Sequence, residues 1–155
     1  MALLNASDII DLAMQLELNG GAFYRAVAAK TEDYRVRALF EDLAIQEDRH
    51  YRVFSELAEN VQEHALMTDE RWRQYSEYLN ATVQSAFFEG KDRALAAADS
   101  VTDEDEALRM AIAFEKDTLL FFFDLRDNVP EGDRSFIQKV MDEEKAHIRR
   151  LAELL

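Results

Sequence analysis

Two segments decide the fold of this chain: LAIQEDRHYRVF at residues 43–54 and VMDEEKAHIRRL at residues 140–151. Each contains the pattern Glu-x-x-His, as Glu47 with His50 and Glu144 with His147, among apolar residues that recur at spacings of three and four. Residues three apart share one face of a helix. Each segment therefore predicts a long helix whose inward stripe carries a carboxylate and an imidazole.

Another helix with an inward-facing Glu precedes each of these two. Glu17 and Glu115 each stand about thirty residues before the Glu of the following Glu-x-x-His, a separation that fits one helical hairpin. The aromatic residue seven positions after this first Glu also recurs, as Tyr24 and Phe122. The two halves of the chain therefore look like one helical hairpin used twice.

Few residues in the chain break helices, since only 4 Gly and 1 Pro occur among 155 residues. That composition, together with the helical spacing of apolar residues, predicts an all-α protein. Thr31 and Thr102 are expected to cap the second and third helices. We predict four long helices at residues 8–29, 32–59, 103–128 and 134–155.

Residues 60–101 form a long connection between the second and third helices. They contain a helical pattern of their own at 70–87, with Trp72, and a short apolar piece at 94–98, and Gly90 separates the two. Such a segment can carry the chain along the whole bundle. We therefore predict a single domain over residues 1–155, a four-helix bundle with one long crossover between the second and third helices.

Composition excludes several classes of function. Lys plus Arg number 18 and Asp plus Glu number 32, and the resulting net charge of −14 argues against nucleic acid as a partner. The absence of Cys excludes disulfides, thiolate metal sites and a catalytic Cys. No apolar run reaches the length of about 18 residues that a membrane span needs. The first residues lack the basic segment of a signal peptide, so we expect a cytoplasmic protein.

Six polar residues lie on helix stripes that are otherwise apolar. Burying a carboxylate without a partner costs several kcal/mol, and two dications would balance the charge of four carboxylates. Ligands rich in oxygen, with one imidazole per metal, suit iron or manganese better than structural zinc. The alternative, Glu residues at the bundle surface and His residues bonded to backbone, needs all six to be misplaced. The candidate metal ligands are Glu17, Glu47, His50, Glu115, Glu144 and His147.

Over nearly all its length the chain resembles the rubrerythrin branch of the ferritin-like superfamily. The resemblance implies a ferritin-like bundle that holds two iron ions, with Glu47 and Glu144 bridging both. Glu17 and His50 would complete one iron. Glu115 and His147 would complete the other. The motifs that carry the resemblance are Glu17 in LELNGGAFY, Glu47 and His50 in FEDLAIQEDRHY, Glu115 in AIAFEKDTLLFF, and Glu144 and His147 in MDEEKAHI.

Many proteins of the family it resembles reduce hydrogen peroxide or oxygen with electrons from a rubredoxin. This chain departs in two ways: it has no Cys for a rubredoxin-like domain, and Ile112 and Thr118 flank Glu115 where a second Glu would stand. The resemblance thus implies a di-iron oxidoreductase with a separate, rubredoxin-type donor. The symmetric ligand set, also found in bacterioferritin, leaves a ferroxidase as an alternative. A non-enzymatic metal-binding bundle is a third.

Tyr24 lies on the face of Glu17, two turns further along, and is the candidate catalytic residue. It could hydrogen-bond a ligand carboxylate or relay electrons, or it could be an ordinary core tyrosine. Gly20 and Gly21 each cost the first helix about 1 kcal/mol relative to Ala, and tight packing or a route for the oxidant would explain them. Glu143 adjoins the candidate ligand Glu144 in the sequence. Its side chain is expected either in solvent or in contact with a ligand side chain.

The first and third helices carry more apolar residues than one inward stripe uses. The crossover can cover part of this surplus, and a remaining apolar patch usually marks an interface. With the family resemblance, this predicts a homodimer built mainly on the first and third helices, with the metal sites within each chain. His64, in the crossover, has no partner at ligand spacing and is expected at the surface. The surplus residues are Leu12, Leu16, Phe23, Leu120, Phe121 and Phe123.

Overall fold

The computed structural model describes residues 6–60, 69–85 and 89–155, and within these ranges it contains helices and no strands. His64 lies outside the described residues, as does the side chain of Trp72. The four predicted long helices and the helix predicted in the crossover are confirmed, and the apolar piece at 94–98 forms part of a further short helix. They are α1 (Ala6–Lys30), α2 (Tyr34–Asn60), α3 (Asp69–Ser85), α4 (Lys91–Ser100), α5 (Glu104–Asn128) and α6 (Glu131–Ala152).

The four long helices enclose one hydrophobic core. Helices α1 and α2 form one hairpin and α5 and α6 the other, while α1 also contacts α5 and α2 contacts α6. Aromatic rings fill the interior, and those of Phe54 and Phe122 lie 4.9 Å apart between centroids. The largest fully buried side chains include Phe23, Tyr24, Phe40, Phe54, Phe114 and Phe122.

The crossover returns the chain to the end of the bundle where α1 ends and α2 begins. Helix α4 packs against α1, and the Lys30 ammonium donates to the carbonyls of Asp99 and Val101, at 3.3 and 2.9 Å. The Thr31 hydroxyl donates to Glu104 Oε1 at 2.9 Å, at the start of α5. The predicted long crossover between the second and third long helices is therefore confirmed.

Two of the predicted helix caps are wrong by one or two residues. Thr31 faces α5, and Asp33 caps α2 by accepting from the backbone N–H groups of Arg35 and Val36 at 2.8 and 3.3 Å. Asp103 replaces Thr102 as the cap of α5 and accepts from the N–H of Glu106 at 2.8 Å. An Asp reaches the free N–H groups of the first turn as well as a Thr does, so the two types compete for the position.

Helix α6 begins at Glu131, three residues before its predicted start. Pro130 precedes it with φ −52°, a value close to that of a helix, and needs no N–H bond there. Gly90, before α4, has φ +147°, which favours glycine because it has no Cβ. These residues set where two helices begin.

The predicted surplus of apolar surface is smaller than expected. Leu16, Phe23 and Phe121 are buried within the chain itself, because the long helices and the crossover cover more than one stripe of α1 and α5. Leu120 and Phe123 of α5 remain about half exposed, at 51% and 49%. None of the helices in the described residues is long and apolar enough to cross a membrane.

Candidate metal centre

All six candidate ligands lie together in the middle of the bundle. Each of the four long helices contributes, because the stripe that each turns inward carries a Glu at this level. Each of the six residues is at most 1% exposed. The set is Glu17 from α1, Glu47 and His50 from α2, Glu115 from α5, and Glu144 and His147 from α6.

The six residues form two overlapping groups. One ligand atom from each member of a group lies within 4.8 Å of the others, which is close enough to surround one metal ion. Glu47 and Glu144 belong to both groups. Each group adds a Glu and a His of its own: Glu17 with His50 in the first, and Glu115 with His147 in the second.

Both imidazoles turn Nδ1 toward the shared carboxylate of Glu144. His50 Nδ1 lies 2.8 Å from Glu144 Oε1, and His147 Nδ1 lies 2.7 Å from Glu144 Oε2. The two rings are nearly parallel, with centroids 5.6 Å apart. Glu144 thus offers one oxygen to each side of the cluster.

Among the residues that the structure describes, most polar atoms of the cluster have no hydrogen-bond partner. These atoms include both oxygens of Glu17, Glu47 and Glu144. The Nδ1 atoms of His50 and His147 are unsatisfied as well. Buried polar atoms are nearly always hydrogen-bonded, so this many unsatisfied oxygen and nitrogen atoms fit a site for cations. Carboxylate and imidazole ligands suit iron and manganese.

The second nitrogen of each imidazole has a partner from the opposite hairpin. His50 Nε2 lies 2.7 Å from Glu143 Oε2 of α6, and His147 Nε2 lies 2.9 Å from Gln46 Oε1 of α2. Both partners are acceptors, so Nε2 carries a proton, and Nδ1 is the nitrogen that would bind a metal once its own proton is displaced. Sequence reasoning did not single out Gln46. The available signal was its position directly before Glu47, matching that of Glu143 before Glu144.

Tyr24 connects the two hairpins at the edge of the cluster. Its hydroxyl donates to Glu115 Oε1 across the bundle. Burial, the charges of Glu115 and Glu47 and this hydrogen bond raise the pKa of Tyr24 well above its usual value. Tyr24 is therefore a protonated hydrogen-bond donor at neutral pH.

The buried charges perturb one another strongly. Burial, then the nearby carboxylates of Glu47 and Glu144, raise the pKa values of Glu17 and Glu115 well above the usual range. Burial opposes protonation of His50, but the carboxylates of Glu144 and Glu17 outweigh it and raise its pKa to about 12. Without a cation the cluster therefore retains protons, which a metal ion must displace.

Gly20 provides the space that the Glu47 carboxylate occupies. A Cβ at this position would lie 2.6 Å from Phe114 Cε1 and 2.8 Å from Glu47 Oε2, both closer than real Cβ atoms come. Of the two explanations offered by the sequence, tight packing fits this geometry. Gly21 differs, because its nearest neighbour is the flexible end of Arg25, at 3.0 Å.

Comparisons with known proteins agree with this architecture. The sequence model of the Rubrerythrin family matches residues 8–155. A solved structure from Thermotoga maritima, described as a ferritin-like diiron-carboxylate protein, shares 25% sequence identity with a TM-score of 0.73, covering 99% of this chain and 96% of that one. No curated protein matches the sequence. The ferritin-like bundle implied by the resemblance is confirmed.

Replacing Gly20 by Ala should disturb the cluster, whereas the same change at Gly21 should not. We expect Gly20→Ala to lower the free energy of unfolding by about 1–3 kcal/mol, because the new methyl group overpacks against Phe114 and Glu47. Gly21→Ala, the matched control on the same helix, should stabilise by up to about 1 kcal/mol through helix propensity. Urea unfolding followed by circular dichroism measures both, and equal stability of the two variants would contradict the packing argument.

Proposed function

Because this chain belongs to the rubrerythrin family, we propose that it holds two iron ions and reduces hydrogen peroxide or oxygen with electrons from a separate donor protein. The observation that carries the proposal is the pair of buried Glu and His groups that share Glu47 and Glu144. The structural similarity to a protein described as diiron-carboxylate supports the same metal.

In the proposed centre Glu47 and Glu144, which belong to both groups, would be shared by the two metal ions. Glu17 and His50 complete the first position, named M1. Glu115 and His147 complete the second position, named M2. Two dications balance four carboxylates, and manganese remains the alternative metal because it prefers the same ligands.

Reduction of hydrogen peroxide to two waters takes two electrons and two protons. Two iron ions, when bound, supply those electrons, and the chain supplies the geometry. Each ligand residue is at most 1% exposed, so the bundle keeps bulk water away from the cluster. Tyr24 is the proposed catalytic residue, because its hydroxyl holds a proton beside Glu115 at the edge of the cluster.

In this proposal the electron donor is another molecule. The chain contains no Cys, so it cannot form a Cys-ligated iron centre of its own. A rubredoxin-type protein in the cytoplasm is the donor class that the family implies. Peroxide and oxygen are small enough to reach a centre whose ligands are all buried.

A ferroxidase is the second candidate function. In that reaction Fe²⁺ is the substrate, and peroxide or oxygen takes its electrons at the centre before the oxidised iron is passed on. The observation that favours it is the symmetry of the donor set, with one Glu and one His in each group besides the two shared residues. Buried Thr118 lies one turn after Glu115 and contributes no carboxylate. A bundle that binds metal without turnover is the third candidate.

Metal content should distinguish a shared ligand from one that serves a single position. We expect about two metal ions per chain, measured by elemental analysis of protein reconstituted with Fe²⁺. Glu144→Ala should lower the occupancy of M1 and M2 together, whereas His50→Ala should leave one ion bound. Loss of a single ion in both variants would contradict the bridging role of Glu144.

Bound metal should also raise the melting temperature of the wild-type chain by mass action.

The source of electrons should distinguish the two enzymatic functions. The iron-loaded protein is reduced without oxygen, then mixed with peroxide or oxygen while the di-iron absorption is followed. A reductase should return to the reduced state with a rubredoxin-type donor and turn over repeatedly on its resident iron. Oxidation of added Fe²⁺ beyond two ions per chain, without use of that donor, would favour the ferroxidase. Failure to react with either oxidant would favour the non-enzymatic bundle.

We also propose that the chain forms a homodimer, with α5 contributing most of the interface. Leu120 and Phe123 are half-exposed apolar side chains one turn apart on this helix. Light scattering should give twice the chain mass of 17.9 kDa, and Leu120→Glu should shift the mass to that of one chain. A wild-type mass near 17.9 kDa in dilute buffer would contradict the dimer.

A further inference from the structure

We infer that the two metal positions are unequal, and that M1, with Glu17 and His50, binds a metal ion before M2 and more tightly. This inference rests on the proposed function, because it takes the Glu and His cluster to be a two-metal centre. It concerns the residues behind the ligands, which are those that form hydrogen bonds with a ligand side chain: Glu143, Gln46 and Tyr24.

The helical hairpins repeat, so each ligand has an equivalent in the other half. The residues behind the ligands do not follow this equivalence. Glu143 and Gln46 occupy matching places, each directly before a shared Glu and each bonded to the His of the opposite hairpin. One of them is a carboxylate and the other a neutral amide.

The carboxylate makes His50 the stronger ligand. An imidazole that donates Nε2–H to a carboxylate has a more basic Nδ1 than one that donates to a neutral oxygen, because the negative charge stabilises the positive charge drawn onto the ring. His50 donates to Glu143 at 2.7 Å and His147 donates to Gln46 at 2.9 Å. M1 therefore receives the more electron-rich imidazole.

A second difference between the hairpins acts in the same direction. The Tyr24 hydroxyl donates to Glu115 Oε1 and so shares the charge of an M2 ligand. The residue equivalent to Tyr24 in the other hairpin is Phe122, which has no hydroxyl. Neither oxygen of Glu17, the corresponding M1 ligand, accepts a hydrogen bond from any residue that the structure describes. Both oxygens of Glu17 are therefore available to a metal ion that displaces the proton, with no hydroxyl competing for them.

Glu143 is a practical position to test because it reaches the surface. Its side chain is 42% exposed, and it lines a cavity of about 450 Å³ together with His50, Val53 and Phe136. Glu143→Gln preserves the size of the side chain and its acceptor oxygen. Both imidazoles would then donate to a neutral amide. Asp142→Asn is the matched control, because it removes the same charge from the adjacent residue, whose side chain is 62% exposed and contacts Lys145 instead of a ligand.

The experiment is a titration of the metal-free full-length chain with Co²⁺, read by its visible absorption and by calorimetry. The wild type should bind in two steps. Outer hydrogen-bond partners commonly change metal affinity by about 10–100-fold, so Glu143→Gln should weaken the first step about 10-fold and leave the second unchanged. Asp142→Asn should leave both steps as in the wild type, and Gln46→Glu should strengthen the second. His147→Ala should keep the tight step, and His50→Ala should lose it.

Two equal steps in the wild type would overturn the inference and leave the two-metal proposal in place. The same would follow if Glu143→Gln behaved like Asp142→Asn, or if His147→Ala lost the tight step while His50→Ala kept it. No Co²⁺ binding by the wild type would overturn the two-metal proposal and this inference together. Circular dichroism of each metal-free variant separates a change in binding from a loss of fold.

Discussion

The burial of four carboxylates and two imidazoles at one level of the bundle is the constraint on which the rest of the structure depends. Such a group repels itself and cannot be solvated, so it is stable only with protons or cations. The bundle holds the group in place from several sides: Tyr24 donates to Glu115, Gly20 leaves room for Glu47, and Glu143 and Gln46 fix the imidazoles. Each of these features would be unnecessary, or even harmful, in a bundle that had only an apolar core.

The two hairpins act on each other's ligands more than on their own. Gln46 of the first hairpin holds His147 of the second, Glu143 of the second holds His50 of the first, and Tyr24 of α1 reaches Glu115 of α5. Displacing one hairpin against the other would therefore disturb both groups of ligands at once. Stability of the bundle and geometry of the centre are linked through these crossed contacts.

The helices and the six converging residues were predictable because both follow from periodicity along the chain. The Glu and His side chains of a Glu-x-x-His on an apolar stripe share the helix face that turns toward the core. The contacts between hairpins were harder to predict, since the distance from Gln46 to His147 depends on how α2 lies against α6. The helix caps failed for a local reason, because Asp33 competes with Thr31 for the same N–H groups. The burial of Leu16, Phe23 and Phe121 depends on how much of α1 and α5 their neighbours cover, which spacing alone does not reveal.

The crossover between α2 and α5 contributes none of the six residues, yet it changes what the centre can be. A single hairpin of this kind carries two Glu and one His, and each group of ligands draws on both hairpins. Two identical hairpins meeting across a two-fold axis would build the same cluster, but every residue behind a ligand would then occur twice. Covalent linkage removes that requirement. Equivalent positions of the two hairpins can then carry different residues, Tyr24 against Phe122 and Gln46 against Glu143. A symmetric scaffold can in this way hold two chemically different sites.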